Sequence, residues 1–296
     1  MDKTQEIMEK VRRIELQARR LSTATFAGQY RSGFRGQGLD FDDFREYRPG
    51  DDPRFIDWKV TARTGTPYVK TFHEEREQVL LLAVDTSGSM DYAGEQSPDT
   101  KREYAARIAA VLSYSAAING DKVGLLLFGQ QPHFYLPPAK GVRQSQRIVR
   151  EILTAPSHGR DDSVETVAAE ILRTQRKRAM VFLISDFLTA PDKKAIGGLN
   201  FRHELIPVRI CDPLELELPE AGCISFRDPE TQELLVGNLA DSALRTHHTQ
   251  AVQAHRTEWE RVFTQLGIDF LDLRTTEDYI PALRRMFNRR SRLFAH

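Results

Sequence analysis

Val79-Leu80-Leu81-Leu82-Ala83-Val84-Asp85-Thr86-Ser87-Gly88-Ser89-Met90 is the stretch on which the fold turns. Six consecutive apolar residues, Val79 to Val84, are too many for a strand with one wet face. They suit a central parallel strand covered by helices on both sides. The run ends in Asp85, Ser87 and Ser89 around Gly88. One carboxylate and two hydroxyls therefore fall in the turn at the strand's carboxyl end, where open α/β sheets bind ligands. A hard divalent cation such as Mg²⁺ takes oxygen ligands, few of them charged, plus waters. The plainer alternative is a strand-ending turn whose side chains satisfy only backbone groups.

Asp85-x-Ser87-x-Ser89 resembles the metal-ion-dependent adhesion site (MIDAS) of von Willebrand factor A domains. The rest of the chain bears on which alternative holds.

A length of 296 residues allows one large domain or two small ones. The 42 basic and 42 acidic residues cancel, so net charge favours neither nucleic acid nor an anionic membrane. Cys211 and Cys223 are too far apart for a zinc knuckle and fit a reduced, intracellular protein. No apolar run reaches membrane-spanning length. The charged stretch Met1 to Arg20 is not a secretion signal. The expectation is a soluble, cytoplasmic protein.

Two parts are expected, 1–76 and 77–296. Asp2 to Leu21 reads as a helix with a narrow stripe of Ile7, Val11, Ile14, Ala18 and Leu21. Packing on its own domain is the simpler use of that stripe, and docking to a partner the other. Arg31 to Gly38 is a Gly-rich basic loop without the spacing of a phosphate cradle. From Asp40 to Arg63, opposite charges interleave with aromatics around the turn Pro49-Gly50-Asp51-Asp52-Pro53. Arginine forks pair carboxylates two bonds at a time, so this is expected to be an ordered, salt-bridged platform. Arg45, Tyr47, Arg48, Asp51, Asp52, Arg54, Asp57, Trp58 and Arg63 are its candidate partner-binding residues.

The run from Gly38 to Phe72 is similar to the family called domain of unknown function fifty-eight. The residues that carry the likeness are Phe41, Arg45-Glu46-Tyr47-Arg48-Pro49-Gly50-Asp51-Asp52, Arg54, Ile56-Asp57-Trp58, Ala62-Arg63 and Tyr68-Val69-Lys70. In that family the run is followed by a strand ending in Asp-x-Ser-x-Ser-Met, as Asp85 to Met90 do here. The resemblance implies a von Willebrand factor A-like (Rossmann-like) α/β fold. It also implies a MoxR-type AAA+ ATPase as partner, acting on a client protein in assembly or activation.

Beyond Thr100 the α/β rhythm stands without the family. Arg102 to Ala117 reads as a helix and Asp121 to Phe128 as a buried strand. His133 to Leu136 reads as a hairpin arm ended by Pro137-Pro138, and Ser145 to Leu153 as a helix. Ser163 is placed as the cap of a helix over Val164 to Gln175. Met180 to Ile184 is a second apolar strand, running into Ser185-Asp186. His203 to Ile210 is a third central strand, with a hairpin excursion near 212–238 after it. The long helix Asp241 to Leu266 carries His247, His248 and His255 on a face expected to be solvated.

Adhesion sites of this type place their last acid where Asp186 stands, usually reaching the metal through water. The family's Gly-Thr-Asp, whose Thr binds metal, aligns with Gly159-Arg160-Asp161. Arg160 then stands where Thr is expected, and a guanidinium there competes with a cation. Asp161 or Ser163 is the candidate substitute ligand.

Three functions follow. One is a non-enzymatic adaptor whose Asp85, Ser87, Ser89 and Asp186 hold Mg²⁺ or another divalent cation for a partner carboxylate. Another is a metal-free scaffold whose acids Arg160 neutralises. The last is a metal-dependent phosphohydrolase with Asp85 as nucleophile, but position 87 is Ser where a second Asp is needed.

Overall fold

The computed structural model describes residues 3–23, 39–74, 78–129, 131–157, 164–228 and 233–293. Its centre is a six-stranded sheet. Strands β1 (Leu39–Glu46) and β2 (Tyr68–Glu74) form a separate antiparallel pair ahead of it. The central sheet holds β3 (Val79–Asp85), β4 (Lys122–Phe128), β5 (Phe134–Lys140), β6 (Met180–Ser185), β7 (Glu204–Cys211) and, after the β8/β9 hairpin (Cys223–Arg227, Leu234–Asn238), β10 (Leu271–Arg274). The order is β10-β7-β6-β3-β4-β5, and only the edge strand β5 runs antiparallel. This is the von Willebrand factor A-like α/β arrangement expected from the sequence.

The apolar run does what a doubly covered strand must. Leu80, Leu82 and Val84 enter one core, and Leu81 and Ala83 the other. The first core is closed by helices Lys101–Asn119, Val142–Thr154 and Ile280–Leu293, through residues such as Ile108, Ile148 and Phe287. The second is closed by Val164–Thr174, Lys193–Arg202 and Ser242–Gln265, through Ile171, Leu199 and Trp259.

The amino-terminal helix Lys3–Leu21 lays Val11, Ile14 and Ala18 into the first core, against the Lys101–Asn119 helix. Its stripe therefore packs on its own chain. Strand β5 differs from the sequence expectation, since it runs through Pro137 and Pro138 to Lys140. An edge strand tolerates proline because its outer N–H groups need no partner. Gly124 opposite makes room, as a Cβ there would lie 3.0 Å from the Pro138 ring. The Cys223–Arg227 and Leu234–Asn238 hairpin and the long helix capped by Asp241 match their expected positions within a residue or two.

Ile14 is 3% exposed and Leu16 55%, although they sit on the same helix. Ile14→Ala should cost about 2–4 kcal/mol of stability in urea unfolding. Leu16→Ala should stay within about 0.5 kcal/mol of wild type. Equal effects would remove this helix from the core.

Candidate functional site

β6 lies beside β3 on the side away from β4, so chain order reverses between β3 and β6. Ligands of open α/β sheets collect at such a switch point, beyond the carboxyl ends of the strands. The parallel register pairs Val84 with Ile184, which brings Asp85 and Ser185 level and Asp186 just beyond.

Asp85 is buried and fully engaged. Its Oδ1 accepts the Ser87 N–H at 2.8 Å, and its Oδ2 accepts the Ser185 hydroxyl at 2.7 Å. Burial, and then the charge of Asp186, push its pKa up to about 6 against the pull of those hydrogen bonds. Ser87 and Ser89 are also buried, with their hydroxyl oxygens 3.0 Å apart at the turn Gly88–Asp91.

Asp186 meets a lysine. Lys101 Nζ lies 2.6 Å from Asp186 Oδ2 and 2.5 Å from Glu215 Oε1, and the Lys101 side chain is 0% exposed. Burial works against the ammonium, but Asp186 and Glu215 outweigh it and hold the Lys101 pKa above its usual value. For Glu215 the balance goes the other way, and burial raises its pKa despite Lys101. The other oxygen of Asp186, Oδ1, is buried without a hydrogen-bond partner among the described residues.

Glu215 belongs to the short helix Pro213–Leu216. Asp212 caps that helix and also accepts from Gly94 N–H and the Ser97 and Thr275 hydroxyls. The network thus ties the loop after β3 to the ends of β7 and β10. Arg102, next to Lys101, donates to the Thr86 and Ala155 carbonyls and pairs with Asp91 at 2.9 Å.

Phe187, next to Asp186, has φ 55°, a left-handed conformation that a bulky residue rarely adopts. Such backbone costs of order 1–3 kcal/mol and persists only where neighbours fix it. The Ser185 hydroxyl accepts its N–H, His255 Nε2 donates to its carbonyl, and Trp259 and Phe263 meet its ring edge-on. His255 is therefore half-buried and partnered, whereas His247 on the same helix is exposed as expected.

Of the candidate ligands, Asp85, Ser87, Ser89 and Asp186 come together at one rim. Asp161, Ser163 and Arg160 lie outside the described residues. The positive charge found beside Asp186 is that of Lys101. Sequence reasoning passed over Lys101, Glu215 and Ser185. One signal was available for Lys101: a cation in the first turn of a helix opposes the helix dipole.

Among the described residues no group of three or more His, Cys, Asp and Glu side chains is placed to hold a metal. An ion here would rest on Asp85, the two hydroxyls and water, a donor set that suits Mg²⁺. A crevice of about 10 Å³ opens at Asp85, between Phe128, Val164, Leu183, Phe187 and Thr189. That is room for about one water.

The platform is built as the charge pattern suggested. Arg45 grips Asp51 with two 2.7 Å bonds, and Arg54 pairs with Asp52 at 2.6 Å. Asp51 also accepts the Arg48 N–H, and its pKa falls to about 2, mainly through Arg45. Asp57 caps the helix Trp58–Thr64. Tyr47 is half-buried, the Arg48 and Arg63 residues are exposed, and Trp58 is 70% exposed.

The model of the family described as "Protein of unknown function DUF58" matches residues 43–258, across both platform and rim. The chain belongs to that family. Uncharacterized proteins of Mycobacterium tuberculosis and Mycobacterium bovis are each 30% identical over 286 residues, covering 95% of this chain and 89% of theirs. YeaD of Bacillus subtilis is 25% identical over 145 residues, 49% of this chain and 34% of its own. Among solved structures, BatB of Bacteroides thetaiotaomicron is 14% identical with a TM-score of 0.46, covering 73% of this chain and 99% of its own. A von Willebrand factor type A protein of Catenulispora acidiphila is 18% identical with a TM-score of 0.34, covering 49% of this chain and 35% of its own. At those scores the fold of this DUF58 chain rests on its own strand order. No helix among the described residues is long and apolar enough to cross a membrane.

The raised pKa of Asp85 has a consequence for stability. A carboxylate whose folded pKa exceeds its unfolded value destabilises the fold as pH rises between the two. Asp85→Asn in EDTA should therefore unfold above wild type at pH 7.5. The gain should be roughly 3 °C or more, at about 2–4 °C per kcal/mol. The difference should shrink as pH falls towards the ordinary carboxylate range. A lower melting temperature for the variant at pH 7.5 would contradict the burial penalty.

Proposed function

We propose that this protein is a non-enzymatic adaptor that docks partners through the β3/β6 rim. In this reading Asp85, Ser87 and Ser89 hold a divalent cation, Mg²⁺ in the first instance, and Asp186 acts through water. An open coordination position accepts an Asp or Glu of the partner. The observation that carries the reading is the convergence of Asp85, two buried hydroxyls and the unpartnered Asp186 Oδ1 at the switch point. The raised Asp85 pKa supports it, because a carboxylate buried beside a second acid is what a cation relieves.

The partner proposed is the MoxR-type AAA+ ATPase that the family resemblance implies, with a client on the other side. The platform is the second contact. Asp51, Asp52 and Asp57 are occupied by Arg45, Arg54 and the helix cap, while Trp58 and Arg63 face outward. Exposed Trp and Arg are the side chains that most often anchor interfaces.

Lys101 favours one competing reading. It does for Asp186 what the metal-free scaffold required of Arg160. A phosphohydrolase is the weaker alternative, since position 87 is Ser where such an enzyme needs a second Asp.

Calorimetric titration with Mg²⁺ and Mn²⁺ separates these readings. Binding that disappears in Asp85→Ala is expected, and no heat at millimolar cation would favour the scaffold. Affinity purification from the native cell should recover an AAA+ ATPase with wild type, less with chelator, and less with Trp58→Ala. Recovery of none under any condition would contradict the adaptor.

A further inference from the structure

Lys101 is the buried charge that the adaptor reading leaves without a task. It is the first residue of a 19-residue helix. A capping box fixes its backbone there: the Thr100 hydroxyl accepts the Glu103 N–H and the Glu103 carboxylate accepts the Thr100 N–H. With no solvent exposure, the ammonium has Asp186 at 2.6 Å and Glu215 at 2.5 Å as its partners. The adjacent cation, Arg102, is taken up by Asp91 and two carbonyls. Asp186 thus shares its one ammonium with Glu215, and Asp85 lies close enough for its charge and that of Asp186 to interact.

We propose that Lys101 is a tethered cation that sets how strongly this rim binds a divalent ion, by competing with it for Asp186. The inference rests on the adaptor reading for the location of the ion and adds a residue that sets its affinity. The ammonium supplies through the chain a charge that would otherwise be drawn from solution. It also holds Asp186 Oδ2 and leaves only Oδ1 free to face an ion or its water. The rim is thereby kept to weak, exchangeable cation binding, in which a partner carboxylate adds the missing ligand. Removing the charge leaves Asp186 and Glu215 both seeking a cation.

The test is titration of EDTA-stripped protein with MgCl₂ and MnCl₂, on wild type, Lys101→Met, Lys101→Gln and Lys101→Arg. The two neutral variants should bind at least tenfold more tightly than wild type, and Lys101→Arg should stay near wild type or below. Lys101→Gln retains a polar N–H donor without the charge, in case Lys101→Met does not fold. For any variant that unfolds in EDTA, the readout is thermal unfolding in millimolar Mg²⁺. There the cation should raise its melting temperature more than that of wild type. Neutral variants that bind no tighter than wild type, or are not rescued by cation, would overturn the role of Lys101. If wild type binds and the variants do not differ, only this inference fails. If only the neutral variants bind, Lys101 keeps its role and the wild-type rim is metal-free. Absence of binding in every protein overturns both.

Discussion

An ammonium group removed entirely from water is stable only where carboxylates meet it at contact distance, and Lys101 meets two. Losing one partner of a buried pair typically costs 3–5 kcal/mol, because the other charge is left uncompensated. The pairs therefore constrain the architecture. Asp186 has to be delivered by the end of β6, Glu215 by the turn after β7, and Lys101 by the first turn of a helix reached from β3. The β3/β6 reversal brings all three to one edge, and the same reversal sets Asp85 beside them.

The rim departs from what stability alone would select. Asp85 keeps its carboxylate in a buried place that raises its pKa to about 6, and Phe187 holds a left-handed backbone next to Asp186. Asp186 leaves one oxygen unpartnered. Backbone strain, a buried carboxylate with a raised pKa and an unmet acceptor therefore gather at one switch point. Around it stand two apolar faces on β3, capped helices and a proline-bearing edge strand.

How much of this was legible in the sequence depended on range. The Val79–Val84 and Met180–Ile184 runs announce covered strands by composition alone, and the acids that end them mark one rim. Arg45 and Asp51 are six residues apart, so their pairing could be read from local charge alternation. Lys101 could not be read in that way. Its partners lie 85 and 114 residues along the chain, and nothing local distinguishes it from other lysines beyond its awkward place at a helix start. The charge that the sequence does offer near these acids is Arg160, at the position where the family resemblance expects Thr, and it lies outside the described residues. The strand through Pro137-Pro138 was missed because proline stops a central strand, and only tertiary placement at the edge permits it.

The central claim is that Asp85, Ser87 and Ser89 form a cation position beside an acid already held by Lys101. Anomalous diffraction from a crystal equilibrated with millimolar Mn²⁺ addresses it most directly. The account predicts one peak about 2.2 Å from Asp85 and both serine oxygens, with Lys101 still on Glu215. A peak elsewhere, or none at the rim under saturating Mn²⁺, would contradict it.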